Sequence, residues 1–170
     1  MASDPGSTPA PPAYDHGPML LDGMNHVAVL TQDADRLHAF YEEMFDAVVS
    51  HTQDAGPEGQ LSFVDIGPHT RLNVFQFEGN AEASLNRPMF ARGRLDHFGL
   101  QASSIEAFET VRDRLIAAGT TDGFVTDFGP ILSVFFVDPD GLEGEVCVDN
   151  PDAEPGVYHP PGTPAPRYHS

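Results

Sequence analysis

The chain has 170 residues, of which 40% are hydrophobic and 20% charged, so its middle can bury the core of one compact domain or of two small modules. It carries 26 acidic and 8 basic residues, a formal charge of −18, and every basic residue is an arginine. So acidic a surface repels phosphate backbones and anionic lipids, which argues strongly against nucleic acid as a partner. No apolar run reaches the roughly 18 residues that a membrane helix needs, which excludes a membrane span.

The two ends differ in composition from the middle. Residues 1–21 are rich in proline, glycine and small polar residues, and this composition predicts a disordered leader. Residues 150–170 form a proline-rich tail that is expected to be extended, because proline fixes φ and removes a hydrogen-bond donor. Disorder is the simpler expectation for this tail, although its tyrosines and histidines leave room for a docked lid.

The N-terminus also bears on location. No basic residue precedes Arg36, so the chain lacks the positive start and apolar run of a secretory signal. Cys147 is the single cysteine and cannot form an internal disulfide. We therefore expect a cytoplasmic protein.

An internal repeat organises the middle of the chain. The segment MNHVAV at 24–29 aligns without gaps on LDHFGL at 95–100. In each copy a short strand alternates around a histidine, His26 or His97, and an amphipathic helix follows it. The same offset carries the apolar helix positions of the first copy onto those of the second, namely Leu37, Phe40, Met44 and Phe45 onto Phe108, Val111, Leu115 and Ile116.

Strands are predicted after each helix. Segments 61–66 and 71–77 are bounded by turn residues and rich in β-branched or aromatic side chains. Gly119 ends the second helix, and segments 131–137 and 145–148 form the matching pair around a DPDG turn. The short runs Val48–Val49 and Phe124–Val125 would add one strand to each copy. The predicted fold is α+β, with βαβββ modules at 22–80 and 95–149 joined by a linker at 81–94.

The repeat also predicts a metal site. His26 and His97 occupy equivalent positions on the first strands of modules that a pseudo-twofold axis should relate, which brings them together. Because one residue is inserted in the second copy, a slightly longer offset pairs Asn73 with Glu145 on the last strands. A single histidine in an apolar strand is usually a packing residue, but two at equivalent positions with a glutamate favour a metal. Two imidazoles and a carboxylate suit Fe(II), Mn(II), Ni(II) or Zn(II).

Three segments resemble a known superfamily, the vicinal oxygen chelate proteins, which include glyoxalases, bleomycin resistance proteins and extradiol dioxygenases. They read NHVAVLTQDADRLHAFYEEMF, LDHFGLQASSIEAFETVRDRLIAAG and FFVDPDGLEGEVCV. The last is the most specific, because Glu145 follows the DPDG turn where this superfamily has a glutamate ligand. The resemblance covers about residues 22–149. It implies an open, cupped mixed sheet holding one divalent metal on His26, His97 and Glu145, in a protein that commonly forms a homodimer.

Departures from the superfamily pattern bear on the reaction. Asn73 stands where glyoxalase-type and epimerase-type enzymes usually have a fourth Glu or Gln ligand. This departure favours a three-ligand site, which resembles those of extradiol dioxygenases and of the thiol-transferring fosfomycin resistance enzymes. Against a standard dioxygenase, Phe135 replaces the usual tyrosine ahead of the DPDG turn, and residues 126–134 contain no histidine.

We therefore expect a metal-dependent enzyme whose small substrate chelates the metal through adjacent oxygens, with Fe(II)-dependent cleavage of a catechol ring favoured. One alternative is a glyoxalase-like lyase or isomerase in which Glu145 is a catalytic base at a Zn(II) or Ni(II) site. Another is a metal-free, drug-sequestering resistance protein. The resemblance leaves open whether the metal site lies within one chain or is shared across a dimer.

Strand alternation extends the site to a predicted substrate pocket. Its members are Asn73, Phe75, Gln101 and Phe135, with Phe77 as a further aromatic residue on the same face.

Other polar residues are assigned more ordinary roles. Arg92 and Arg94 are either a clamp for a substrate carboxylate or solvated linker residues. His38 is expected to face solvent on the first helix. Asp138 and Asp140 are expected to hydrogen-bond the backbone of their own turn.

Overall fold

The structure is a computed structural model that describes residues 24–56, 59–84 and 96–169. The predicted leader, Arg92, Arg94 and all but the first four residues of the predicted linker lie outside the described residues. Those four, Ala81–Ser84, form a short 3₁₀ turn. Within the described ranges, no helix is both long and apolar enough to cross a membrane.

The first module is a four-stranded sheet with one helix. Its order is β1-β4-β3-β2, and β1 runs parallel to β4 whereas the other pairs are antiparallel. The helix begins after Asp33, whose side chain accepts a hydrogen bond from the Arg36 amide, and ends at Asp46 in the left-handed conformation. The elements are β1 (His26–Thr31), α1 (Ala34–Phe45), β2 (Val48–Asp54), β3 (Gly59–Asp65) and β4 (Arg71–Phe77).

The second module repeats this plan with the order β5-β8-β7-β6. Ser104 caps the helix through the Ala107 amide, and Gly119 ends it at a φ of 69°, as the sequence predicts. The elements are β5 (Phe98–Gln101), α2 (Ile105–Ala118), β6 (Val125–Asp127), β7 (Ile131–Val137) and β8 (Glu143–Asp149). The predicted α+β fold of two βαβββ modules is confirmed, and both mixed sheets are open.

The pairing registers confirm both alignments of the repeat. Ala28 lies beside Asn73 in the first module, and Gly99 lies beside Glu145 in the second. The first strands therefore match at the offset that aligns the two histidines, and the last strands match at an offset one residue longer. Asn73 and Glu145 are structurally equivalent positions.

One hydrophobic core joins the modules. Phe136 of β7 is only 1% exposed, and its ring centroid lies 6.2 Å from that of Phe40 and 5.1 Å from that of Phe45, both on α1. Its ring covers Gly144 of β8, where an added Cβ would approach it to 2.5 Å. The helix of the first module thus packs on the sheet of the second.

This packing explains why His38 is buried, so the prediction that it faces solvent is wrong. The residue is 9% exposed, and its Nε2 has no hydrogen-bond partner among the described residues. Because α1 contacts both its own sheet and Phe136, a wider sector of the helix is covered than its apolar pattern indicates.

A polar contact also links α1 to the DPDG turn. Asp138 is 6% exposed, and its Oδ1 accepts hydrogen bonds from the amides of Asp140 and Leu142, which confirms its predicted turn role. Its Oδ2 accepts a hydrogen bond from the Tyr41 hydroxyl at 3.4 Å. Asp140 instead forms an ion pair with Arg36 of α1. Burial, reinforced by the charge of Asp140, raises the pKa of Asp138 to about 6.

We expect Asp138→Asn to change how stability depends on pH. An aspartate with a raised pKa binds its proton more tightly in the folded state than in the unfolded state. The protonated Asp138 therefore contributes fully to the free energy of unfolding below about pH 4, and this contribution is lost as the pH rises through about 6. Between pH 5 and pH 7 the wild type should lose about 1 kcal/mol of unfolding free energy relative to the variant. Urea unfolding of both proteins at several pH values measures this difference. If the unfolding free energies of the wild type and the variant change in parallel with pH, the raised pKa of Asp138 is contradicted.

The C-terminal tail is docked and does not show the disorder that its composition favours. It runs along the free edge of β6, where Asp127 donates to the Thr163 carbonyl and Ala165 donates to the Val125 carbonyl. The ring of Tyr168 packs on Phe108 of α2 at 5.9 Å. As expected, the tail forms no helix or central strand. It satisfies backbone groups of an edge strand that would otherwise be free to pair with another chain.

Candidate metal centre

The proposed ligands lie on the sheet face turned away from the helices, called the open face below. Alternation along each strand places Leu72 and Val74, for example, in the core and their neighbours on this face. The open-face residues around the predicted site are His26 and Ala28 from β1, Arg71, Asn73, Phe75 and Phe77 from β4, His97, Gly99 and Gln101 in and just before β5, and Glu143, Glu145 and Cys147 from β8.

Two of the predicted ligands form what we call the C-terminal half-site, His97 and Glu145. Their Nε2 and Oε1 atoms are 3.5 Å apart, and both side chains are largely shielded from solvent. The other ring nitrogen of His97 lies 2.8 Å from the Asp96 carboxylate, and Glu145 Oε2 accepts a hydrogen bond from Ser133. A carboxylate that accepts a hydrogen bond from Nδ1–H leaves the Nε2 lone pair for a metal, as in many metal sites. Asp96 thus orients the His97 ring, and Ser133 orients the Glu145 carboxylate.

The equivalent residues of the first module form the N-terminal half-site, His26 and Asn73. His26 is exposed, and its Nδ1 lies 2.9 Å from the Asn25 side-chain oxygen, as His97 lies beside Asp96. Asn73 Oδ1 is buried and has no hydrogen-bond partner among the described residues. A buried amide oxygen without a donor is costly, and a cation or a substrate hydroxyl would satisfy it.

The two half-sites do not form one cluster within the chain. The described residues contain no group of three or more His, Cys, Asp or Glu side chains that could hold a metal. The expected meeting of His26 with His97 is therefore not seen inside the described part of a single chain. The C-terminal half-site alone offers two protein ligands, one fewer than the three that catalytic sites usually have.

The predicted substrate-binding residues surround the half-sites. Phe135 meets the ring of His97 edge to face at 5.8 Å, and Phe75 is stacked on Phe77 at 6.1 Å. Gln101 is exposed at the end of β5, where its amide donates to the neighbouring Ala102 carbonyl at 3.4 Å. The aromatic residues thus flank the ligands, and Gln101 lies at the rim.

Cys147 shares the open face with Glu145 and is half-buried. Burial, with the charge of Glu145 as a second cause, raises the pKa of its thiol to about 12. We therefore expect the thiol to stay protonated at neutral pH.

Two polar residues on the open face of the first sheet were not predicted from the sequence. Arg71 lies beside His26, and its guanidinium carbon is 5.7 Å from the ring centroid of Phe63. His51 of β2 stacks on the same phenylalanine, with the two ring centroids 5.7 Å apart. Strand alternation would have found Arg71, two residues before Asn73. His51 was hidden because β2 was predicted over only two residues.

Comparison with known proteins gives the family. Residues 23–146 match the model of the glyoxalase/bleomycin resistance protein/dioxygenase superfamily. The chain belongs to this superfamily. No curated protein matches the chain.

Solved structures show the same fold. A glyoxalase/bleomycin resistance protein/dioxygenase domain from Frankia sp. EAN1pec is 19% identical with a TM-score of 0.63, over 78% of this chain and 95% of that one. The trypanothione-dependent glyoxalase I of Leishmania major is 24% identical with a TM-score of 0.52, over 73% and 84%. The fosfomycin resistance protein FosX of Listeria monocytogenes, in complex with Mn(II) and sulfate, is 15% identical with a TM-score of 0.54, over 77% and 95%.

The side chains present fit a divalent metal. The C-terminal half-site offers an imidazole nitrogen and a carboxylate oxygen that point toward each other, each with an outer hydrogen-bond partner. The N-terminal half-site offers a second imidazole and an amide oxygen that lacks a donor among the described residues. Imidazole and carboxylate ligands of this kind bind Fe(II), Mn(II) or Zn(II).

Proposed function

We propose that this protein is a metal-dependent enzyme whose small substrate binds the metal through two adjacent oxygens. His26, His97 and Glu145 are the ligands, with Fe(II) as the favoured ion. The observation that carries this proposal is the pair of His97 and Glu145 at 3.5 Å, each oriented by an outer partner. The second ring nitrogen of a metal-ligating histidine is almost always hydrogen-bonded to a carboxylate, a backbone carbonyl or water, and Asp96 takes this place at His97.

We further propose that the centre is completed in a homodimer. His26 of one chain would join His97 and Glu145 of a second chain, since neither half-site holds three ligands alone. Three features on the open face of the first module support a covering partner. The His26 imidazole is exposed, Asn73 Oδ1 is buried without a hydrogen-bond partner among the described residues, and Leu30 of β1 is 46% exposed.

The position of Asn73 favours ring cleavage over isomerisation. An isomerase that moves a proton between adjacent carbons gains from carboxylates on both sides of the metal, and an amide cannot accept that proton near neutral pH. Here Glu145 is the only carboxylate of the two equivalent positions. A three-ligand facial site also leaves room for two substrate oxygens and for dioxygen.

The chain's own residues would hold an aromatic diol in this site. Phe75, Phe77 and Phe135 present ring faces and edges on both half-sites, which suits stacking against a substrate ring. Ser133 fixes one oxygen of Glu145, so the other stays directed at the metal position. When bound, iron would supply Lewis-acid stabilisation of the diol oxygens and the electrons that activate dioxygen.

Oxygen uptake tests the proposed reaction. Protein loaded with Fe(II) without oxygen, then mixed with catechols in aerated buffer, is expected to consume one dioxygen per ring opened, with both oxygen atoms in the product. The Glu145→Gln variant should show no uptake above that of free iron. Iron-loaded protein that consumes no oxygen with any catechol would contradict ring cleavage. Turnover of a hemithioacetal by the Zn(II)- or Ni(II)-loaded protein would then favour the glyoxalase-like alternative.

A further inference from the structure

A guanidinium stands next to the proposed metal position on the open face. Arg71 is the strand neighbour of His26, and it shares its face with Asn73 two residues later. The other four arginines in the described part of the chain lie on helices or the tail and contact groups there: Arg36 with Asp140, Arg112 with the Gly123 carbonyl, Arg114 with Asp46 and Arg167 with Glu109.

Within residues 24–56, 59–84 and 96–169, the contacts of the Arg71 guanidinium are with Asp65 and Phe63. Its Nε lies 3.2 Å from Asp65 Oδ1, and its guanidinium carbon lies over the ring of Phe63. These contacts fix the plane of the guanidinium while its side chain remains 44% exposed. Contact through Nε leaves the two terminal nitrogens to bind an anion in the bidentate geometry that carboxylates favour.

Space for a ligand lies beside this group. Arg71, Asp65 and His69 line a cavity of about 590 Å³ together with Asn25, the residue that orients His26. The cavity therefore extends from the guanidinium to Asn25, whose side chain contacts His26. A substrate held at the metal by two oxygens would have room to extend toward Arg71.

The second module carries the opposite charge at the equivalent position. The alignment that pairs Asn73 with Glu145 also pairs Arg71 with Glu143, which lies on the open face of β8 two residues before Glu145. A site built from both modules would thus have a cation at one end and a carboxylate at the other. An anionic group on the substrate would be attracted to the Arg71 end.

We propose that Arg71 binds a carboxylate of the substrate, so that the substrate class is small carboxylate-bearing molecules with two adjacent oxygens. This inference rests on the proposed function, because it places the carboxylate relative to the diol. Arg71 would determine specificity and orientation and would take no part in the bond changes.

Equilibrium binding of matched ligands to the Mn(II)-loaded protein, without oxygen, tests this inference. Catechol carries only the diol, whereas 2,3- and 3,4-dihydroxybenzoate add a carboxylate at two distances from it. The wild type is expected to bind one of the benzoates at least about 10-fold more tightly than catechol, the value of a charge-assisted hydrogen bond. Arg71→Gln should abolish this preference and leave the dissociation constant for catechol and the Mn(II) content unchanged.

Two further variants separate this role from a structural ion pair. Asp65→Asn removes a negative charge that partly neutralises Arg71 and should increase the preference for the benzoate. Arg167→Gln removes the same charge from the tail and should leave the preference as in the wild type. A preference that survives Arg71→Gln, or that Arg167→Gln lowers equally, would overturn the inference while the proposed function stands. If neither catechol nor a benzoate binds the metal-loaded protein, the proposed function fails and this inference fails with it.

Discussion

Replacing His26, His97 or Glu145 with alanine is expected to abolish stoichiometric metal binding in each case. Each substitution leaves a three-ligand site with two protein ligands, and losing an outer partner alone usually lowers affinity about 10- to 100-fold. The loss of a ligand should therefore lower the affinity for the metal by more than about 100-fold. Elemental analysis of protein purified without chelators or a histidine tag measures it directly.

Two comparisons make this result specific. Asp96→Asn keeps all three ligands but weakens the group that orients His97, so we expect affinity to fall by about 10- to 100-fold without complete loss. His159→Ala removes an imidazole from the tail and should leave the metal content unchanged. Full metal occupancy in His97→Ala would contradict the ligand assignment.

Phe136→Ala should be the most destabilising single truncation at the contact between the modules. The ring is buried against Phe40 and Phe45 of α1, Phe98 and the backbone of Gly144, so its loss leaves a cavity in the core between the modules. Such substitutions cost about 3–5 kcal/mol. Urea unfolding monitored by circular dichroism gives the value.

Phe135→Ala is the matched control, because it makes the same chemical change one residue earlier on the opposite face of β7. Phe135 is half-buried on the open face, where its ring meets that of His97. We expect a clearly smaller loss than for Phe136→Ala. Equal losses for the two variants would show that the contact of α1 with the second sheet contributes little to stability.

Much of the fold was predictable because the repeat carries information that single segments lack. The two copies share a histidine-bearing strand, an amphipathic helix and a DPDG or equivalent turn, so weak local signals supported each other. The predicted β4 and β7 agree with the structure at both ends. The equivalence of Asn73 with Glu145, derived from one inserted residue, is confirmed by the strand registers.

The errors arise where long-range packing decides the outcome. The burial of His38 depends on α1 meeting Phe136, a contact between residues far apart in the sequence that no helical periodicity reports. The tail docks because β6 offers an unpaired edge, although its own composition favours disorder.

The candidate site was only half predictable for a related reason. Strand alternation correctly places His97 and Glu145 on one face, but it cannot say which chain supplies the opposing half-site. Nor did it report Arg71, whose position becomes informative only once the register sets it beside His26.

Mixing two metal-free variants shows whether one metal centre is built from two chains. If the centre is shared between chains, a dimer of one His26→Ala chain and one Glu145→Ala chain has one damaged site and one intact site, the latter built from His26 of the second chain and His97 and Glu145 of the first. After the mixed chains are unfolded and refolded together, we expect metal to return at one ion per mixed dimer, whereas each variant refolded alone binds none. Mixed protein that stays free of metal, with dimers present and wild-type protein reloading normally, would contradict a metal centre shared between two chains.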